Sequence, residues 1–302
     1  MWFDLGPKYP QSFYIHLLPL ITHNYLCEQL LKIKIVRLFY LRVLTMIICL
    51  DVGNSHIYGG VFDGEEIKLR FRYSTDQVGT SDQVGTFLRQ VLRENRIAYE
   101  NITHISMCSV VPSIDYSITA ACVKYFNLEP FILRAGVKTG LKLHIKNPLE
   151  LGSDRMANSI AATHYYPQQN IILGDFGTAT TFCAISADHT YLGGVILPGF
   201  KTAMESLHLN TAKLPTVEIV KPDQTLGKTT EDNIQSGLYY GQLGAAQLVI
   251  KNIIKETFKN EPTVVLGTGG FAYLLEKEKI FDAIIPDLVL QGLRLALAKN
   301  VR

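Results

Sequence analysis

Two stretches of the sequence place an aspartate directly after an apolar run and follow it with glycine. The first leads from residue 46 to Asp51 and Gly53, and the second leads from residue 171 to Asp175 and Gly177. A buried carboxylate is costly unless a cation, a donor or water meets it, and glycine lets a backbone approach a ligand closely. The repeated pattern predicts two facing phosphate loops with a divalent metal between the aspartates. The alternative that each Asp-x-Gly is only a turn stays open from these residues alone.

A third glycine-rich turn, Gly267-Thr-Gly-Gly270, follows a predicted strand and precedes a predicted helix. There a nucleotide can lie on bare backbone near a helix N-terminus, although a simple helix-entry turn would have the same sequence. The spacings Gly-x-Gly-x-x-Gly and Gly-x-x-x-x-Gly-Lys do not occur, which disfavours Rossmann and P-loop sites.

Asp154 and Arg155 lie near the start of another predicted helix. Phosphoryl transfer needs a base for the attacking hydroxyl and a cation for the anionic partner, and this pair could supply both. Taken alone, such neighbours are as often a surface ion pair.

Composition limits the class of protein. The 302 residues are 47% hydrophobic, as in soluble globular proteins, and no apolar run reaches the ~20 residues of a transmembrane helix. The five cysteines form no Cys-x-x-Cys pair, which indicates reduced thiols in the cytoplasm and argues against a zinc site. They are Cys27, Cys49, Cys108, Cys122 and Cys183.

The net charge of +2 is concentrated at the N-terminus. Residues 1–45 hold five basic and two acidic side chains, a net charge of +3, so the remaining residues carry −1 and show no nucleic-acid patch. We expect residues 1–45 to be an extension that is not native or is disordered, with Met46 as the native start. The alternative is a genuine helix at residues 25–44, and N-terminal sequencing of the endogenous protein would decide between them.

Hydrophobic periodicity from residue 46 onward predicts an α/β protein built from two similar halves, 46–148 and 149–302. Each half contains three consecutive strands followed by helices, and in the second half one further helix precedes the strands. For the first half the predicted strands are 46–50, 56–63, 66–73, 102–111 and 130–133, and the helices are 81–95 and 113–125. For the second half the strands are 170–174, 178–186, 191–197 and 263–266, and the helices are 149–165, 200–207, 232–258 and one after Pro286.

The ordered set of motifs resembles type III pantothenate kinases over residues 46–302. The shared motifs are Asp51-Val-Gly-Asn54, Ser109-Val-Val-Pro112, Asn147-Pro148, Gly152-Ser-Asp-Arg155, Gly174-Asp-Phe-Gly-Thr178-Ala-Thr180, Gly193-Gly194, Pro198-Gly199, Thr230, Gln235-Ser236-Gly237 and Gly267-Thr-Gly-Gly270. The resemblance implies the actin-like ATPase and sugar-kinase fold, two ribonuclease-H-like halves with a nucleotide cleft between them. It implies a homodimer that phosphorylates pantothenate with ATP to 4'-phosphopantothenate, the first step of coenzyme A synthesis.

The resemblance also implies roles for single residues. The ATP phosphate loop would be Asp51, Val52, Gly53, Asn54, Ser55, His56, Ile57 and Tyr58, with Thr178 also touching ATP. Pantothenate would be bound by Gly152, Ser153, Asp154, Arg155 and Thr230. Asp154 would be the proton acceptor, and Thr230 would act across the dimer interface. Asp175 would bind a monovalent cation, K⁺ or NH₄⁺, while Mg²⁺ arrives with ATP through water near Asp51.

Two positions depart from the family pattern. Ser55 stands where threonine is frequent, and Ile145 stands where an aromatic contact to pantothenate is expected. Two alternative functions remain: a kinase of the same fold with another small-molecule substrate, and a non-catalytic nucleotide-binding regulator. The presence of Asp51, Asp154 and Asp175 together argues against the regulator, and a substrate panel with ATP would separate the kinases.

Overall fold

The computed structural model describes residues 46–301. The expected extension at residues 1–45 and the alternative helix at 25–44 lie outside the described residues. No helix within 46–301 combines the length and the apolarity needed to cross a bilayer.

The first half is a five-stranded sheet in the order β3-β2-β1-β4-β5, with two helices. β1 pairs antiparallel with β2 and parallel with β4, as a crossover helix requires. The strands are β1 (Met46–Val52), β2 (His56–Asp63), β3 (Glu66–Ser74), β4 (Ile102–Ser109) and β5 (Phe131–Ile132). The helices are α1 (Ser81–Glu94), which begins with a Thr80–Gln83 capping box, and α2 (Pro112–Phe126).

The second half is a six-stranded sheet in the order β11-β10-β7-β8-β9-β6. β7 pairs antiparallel with β8 and parallel with β10, which repeats the arrangement of β1. The strands are β6 (Lys142–Leu143), β7 (Asn170–Phe176), β8 (Ala179–Ile185), β9 (Thr190–Pro198), β10 (Thr263–Thr268) and β11 (Ala283–Ile284). The helices are α3 (Ser153–Tyr165), α4 (Phe200–Leu209), α5 (Thr230–Glu256) and α6 (Leu288–Asn300).

Both sheets are covered on their two faces, which explains why their central strands are nearly continuous apolar runs. In β1, Ile47 and Cys49 face the central core, while Ile48 and Leu50 face the outer core of the first half. The central core contains α3 and α6, and the outer core of the second half contains α4 and α5. The molecule is therefore layered helix, sheet, helix, sheet, helix.

Two segments of the chain cross the predicted division at residue 148. β6 precedes that residue but pairs with β9 in the second sheet, and the late helix α6 packs against α3, β1 and β4. The central helical layer is thus shared by both sheets. The division into halves at residue 148 stays a prediction.

The structure corrects two predicted helices. The helix predicted for 149–165 begins at Ser153, because Asn147 caps a separate 3-10 turn, Pro148–Glu150, by accepting a hydrogen bond from the Leu149 amide at 3.2 Å. The segment after Gly270 is a 3-10 helix, Ala272–Glu278, and not an α-helix. The strand predicted to reach residue 111 ends at Ser109, because Pro112 already begins α2.

Candidate active site

The two aspartate-bearing bends meet across one cleft. The hydroxyls of Ser55 and Thr178, at the tips of the bends, lie 3.0 Å apart. The cleft between them has a volume of about 540 Å³, within the range of small-molecule sites. Asp51, Asp154 and Asp175 all line it. Facing bends of this kind are what the repeated sequence pattern predicted, and a pair of unrelated turns would not meet.

Each bend is fixed from outside its own hairpin by a threonine hydroxyl. Thr75 donates to the carbonyl of Gly53 at 2.7 Å, and Thr202 donates to the carbonyl of Thr178 at 2.7 Å. The Gly53 carbonyl has no other donor among the described residues, and the Thr178 carbonyl also accepts from the Gly199 amide at 3.1 Å. The loop backbone is therefore held in place before any ligand arrives.

The third glycine-rich turn packs directly onto the second bend. Gly269 has a φ of +88°, which L side chains rarely adopt, and a Cβ there would meet Asp175 Oδ1 and lie 2.5 Å from the Phe176 nitrogen. Phe271 N donates to the Phe176 carbonyl at 3.0 Å. Only glycine fits this cradle, as expected of backbone that approaches phosphate closely.

Asp154 enters the cleft from the first turn of α3. The neighbouring Ser153 hydroxyl accepts from the Ser109 amide at 3.1 Å and donates to the Ser109 carbonyl at 2.9 Å, which ties the start of α3 to the end of β4. Asp154 Oδ1 is buried and has no hydrogen-bond partner among the described residues. Among the described residues this carboxylate is not half of an ion pair, and one of its oxygens has no hydrogen-bond donor from the protein.

Burial and the charge of Asp154 affect the ionisation of the other two carboxylates. Burial and then the charge of Asp154 raise the pKa of Asp51 to about 7, against a thiol hydrogen bond from Cys108 at 3.3 Å. Burial and then Asp154 also raise the pKa of Asp175 to about 7, against an amide hydrogen bond from Asn158. Within residues 46–301 none of the three aspartates forms a salt bridge. Cations bound in the cleft would lower both pKa values.

The donor set fits a cation that brings other ligands with it. Across the described part of the chain, no three His, Cys, Asp or Glu side chains are grouped as a complete metal site. Mg²⁺ usually retains waters and binds through one or two carboxylates together with substrate phosphates. Two separated carboxylates beside a glycine cradle match that requirement.

Two basic residues in the cleft were not found from the sequence. Lys201 lies in the first turn of α4, and the Arg72 guanidinium lies 4.4 Å from the centre of the Tyr58 ring. Lys201 closely follows the Pro-Gly turn that ends β9. A basic residue at the start of a helix after such a turn could have identified it as a candidate for the site. Nothing in the local sequence of Arg72 distinguishes it from other charged residues on β3.

Most of the predicted ATP residues line the cleft. Those that do are Asp51, Gly53, Asn54, Ser55, His56, Tyr58 and Thr178. Val52 and Ile57 are buried in the outer core of the first half, so they can present only backbone to a nucleotide.

The predicted pantothenate residues lie in two separate parts of the structure. Gly152, Ser153 and Arg155 adjoin Asp154 at the start of α3, and Arg155 lies beside Tyr191, where it opposes the rise in pKa that burial causes in that phenol. Thr230 instead lines a separate groove between α4 and α5. Ile145 packs against the central core and not into the cleft.

Comparison with known proteins gives a consistent result. A family model described as type III pantothenate kinase matches residues 47–252. Proteins named type III pantothenate kinase from Legionella pneumophila (strain Corby) and Elusimicrobium minutum are 58% and 47% identical to it over 255 residues. In both cases the match covers 84% of this chain and 99% of the relative. A Francisella tularensis subsp. holarctica protein named type III pantothenate kinase 1 is 52% identical, with 84% and 100% covered.

Solved structures support the fold. One described as a Baf family transcriptional activator from Campylobacter jejuni has a TM-score of 0.51 at 19% identity, covering 84% of this chain and 98% of that one. One described as a 2-dehydro-3-deoxygalactonokinase from Sinorhizobium meliloti has a TM-score of 0.51 at 11% identity, covering 83% and 95%. The fold is the actin-like ATPase and sugar-kinase fold with two ribonuclease-H-like halves. On the family match and on identities of about half the residues, the chain belongs to the type III pantothenate kinases.

Proposed function

We propose that this protein transfers the γ-phosphoryl group of ATP in line to the primary hydroxyl of pantothenate, with Asp154 as the base. As a type III pantothenate kinase it is an enzyme that forms 4'-phosphopantothenate, the first step of coenzyme A synthesis. The observation that carries the proposal is the convergence of Asp51, Asp154 and Asp175 on one cleft beside the Gly269 cradle.

In the proposed step, a bond forms between the pantothenate hydroxyl oxygen and the γ-phosphorus while the bond from that phosphorus to the β-phosphate oxygen breaks. The hydroxyl proton passes to the Asp154 carboxylate, and ADP leaves. Asp154 suits this role because its buried Oδ1 has no other described partner. The exposed Asn54 and Thr178 at the bend tips position the phosphates, and Lys201 and Arg72 supply positive charge. Arg155 orients pantothenate.

ATP acts with a divalent metal, which when bound neutralises charge on the phosphates. We place it near Asp51, through water. Asp175 is the proposed ligand of a monovalent cation, K⁺ or NH₄⁺. Asp175 supports this assignment because its Oδ1 lies next to the two glycine turns while its Oδ2 is hydrogen-bonded.

We also propose a homodimer in the cytoplasm, in which Thr230 of one copy reaches the pantothenate bound by the other. Thr230 is exposed and lies outside the cleft of its own chain. On α5, a Cβ added at Gly237, Gly241 or Gly244 would have no atom within 4 Å, so this helix face is open to close approach by a second helix. The four described cysteines are free and buried, as in a reducing compartment.

The test is ADP release from Mg²⁺-ATP in a coupled assay, with and without pantothenate and with and without K⁺. We expect release to require pantothenate and to rise with K⁺ at constant ionic strength. Release with a different hydroxylated acceptor, but not with pantothenate, would favour a related small-molecule kinase. ATP binding without turnover on any acceptor would favour the regulator.

A further inference from the structure

Asn158 connects the helix that carries Asp154 to the second bend. It lies on α3 one turn after Asp154 and is 1% exposed. Its side-chain Nδ2 donates to Asp175 Oδ2 at 2.9 Å, across seventeen residues of sequence. When Asp175 is ionised its oxygens only accept hydrogen bonds, so the amide group then faces it with its nitrogen.

This bond leaves the two oxygens of Asp175 with different surroundings. Oδ2 is held by Asn158, whereas Oδ1 faces the glycine turns: a Cβ at Gly269 would clash with it, and a Cβ at Gly177 would lie 3.7 Å from it. One oxygen is therefore fixed by a neutral donor, and the other is presented to the surface where phosphate and cation are proposed to lie.

The bond is maintained at a cost in stability. Asn158 Oδ1 is buried and has no hydrogen-bond partner among the described residues. An unsatisfied buried acceptor is costly, so packing alone does not explain an amide at this position. The donor on Asn158 therefore has a use other than packing.

We propose that Asn158 is a positioning residue for the cation site: it fixes one oxygen of Asp175 so that the other faces the bound cation and phosphates. The inference rests on the proposed role of Asp175 as a cation ligand and adds the residue that sets the geometry of that ligand. Outer-shell partners of this kind change metal affinity by about 10–100-fold when they are removed.

The experiment compares Asn158→Ala and Asn158→Leu with the control Asn170→Ala. Asn170 is also a buried asparagine, at the opposite end of the strand that carries Asp175, where it bonds Glu261 and the Ala187 amide. For each protein, the rise in melting temperature on adding KCl, in place of tetramethylammonium chloride, is measured with ATP present and pantothenate absent. The K⁺ concentration for half-maximal activity and the two KM values are measured separately.

We expect the Asn158 variants to lose the K⁺-dependent rise in melting temperature. Their K⁺ concentration for half-maximal activity should rise by about tenfold or more. KM for pantothenate should change less than KM for ATP, and Asn170→Ala should lower the melting temperature without altering the K⁺ response. Asn158→Leu has nearly the same side-chain shape and no hydrogen-bonding group, so it serves if the alanine variant does not fold. A folded Asn158 variant with the wild-type K⁺ response would overturn the role of Asn158 and leave the cation assignment of Asp175 standing. A wild-type enzyme without any K⁺ response would overturn the cation assignment of Asp175 as well.

Discussion

The two bends of the cleft are built to the same plan in different sequences. In each, an aspartate lies near the end of a strand that is antiparallel to the next strand and parallel to a later one. In each, a threonine from outside the hairpin donates to a tip carbonyl at 2.7 Å. A duplicated architecture can therefore place two carboxylates on opposite walls of one cleft when the two bends share little more sequence than Asp-x-Gly after an apolar run.

The bends differ in what supports the carboxylate. Asp51 receives a weak thiol donor from Cys108, while Asp175 receives an amide donor from Asn158 and packs against Gly269. The second bend is consequently the more rigid one, with an oxygen of fixed direction. The first bend has the longer loop, and it leaves more backbone for phosphate. This difference suits a division of labour in which Asp175 of the second bend binds the monovalent cation, while the first bend supplies more of the backbone that faces the phosphates.

The largest expected effect comes from Asp154, whose charge acts on the aspartates of both bends. Asp154→Asn removes the proposed base with almost no change in shape, so turnover should fall by about 10²–10⁴-fold while ATP still binds. The measurement is kcat in the ADP-release assay, together with ATP binding by calorimetry. Near-normal turnover in a folded variant would show that another group accepts the proton.

The next effect tests the tightness of the second bend. Gly269→Ala must adopt a φ of +88° and place its Cβ against Asp175 and Phe176, so it should lose about 1–3 kcal/mol of stability and bind ATP more weakly. Gly270→Ala is the matched control for stability, because a Cβ there meets no protein atom within 4 Å. Urea unfolding and KM for ATP measure both variants. Equal behaviour of the two would mean that the cradle is not rigid.

The pH dependence of stability tests whether both carboxylates are held in the same poorly solvated cleft. The pKa values of Asp51 and Asp175 are raised from 3.8 to about 7 in the folded protein. The folded state then binds more protons than the unfolded chain between about pH 4 and 7, so the free energy of unfolding falls as pH rises through that window.

Asp51→Asn removes one of these groups and also one negative charge near Asp175. Its free energy of unfolding should therefore fall less steeply than that of the wild type between about pH 4 and 7. Chemical unfolding of the ligand-free proteins at several pH values provides the comparison. Parallel curves would show that Asp51 does not titrate in this range.

Much of this fold follows from local signals in the sequence. The strands of both hairpins were predicted to within a few residues, because apolar runs, glycine turns and the Asp63-Gly64 hairpin are all local patterns. The pairing of β6 with β9 and the return of α6 to the first sheet were not predicted. Those contacts join residues far apart in the chain, and no local pattern specifies them.

The candidate site divides in the same way. Asp51 and Asp175 were visible because a carboxylate after an apolar run is unusual wherever it occurs. Asn158 could not be identified in this way, because its role depends on a hydrogen bond to Asp175, which lies on another element. The separate groove lined by Thr230 likewise depends on the packing of α4 against α5, which periodicity does not give.

The smallest expected effect concerns the support of the first bend. Cys108→Ala removes a weak thiol donor from Asp51, and a neutral hydrogen bond contributes only about 0.5–1.5 kcal/mol, so KM for ATP should rise by about 2–5-fold. Cys108→Ser keeps a donor at the same position and should remain closer to the wild type. The Cys108 variants should leave the K⁺ requirement unchanged, whereas loss of Asn158 should alter it, because the amide directs a cation ligand and the thiol does not. If Cys108→Ala changed the K⁺ requirement as strongly as Asn158→Ala, the two bends would share the cation, and the division of labour between them would be wrong.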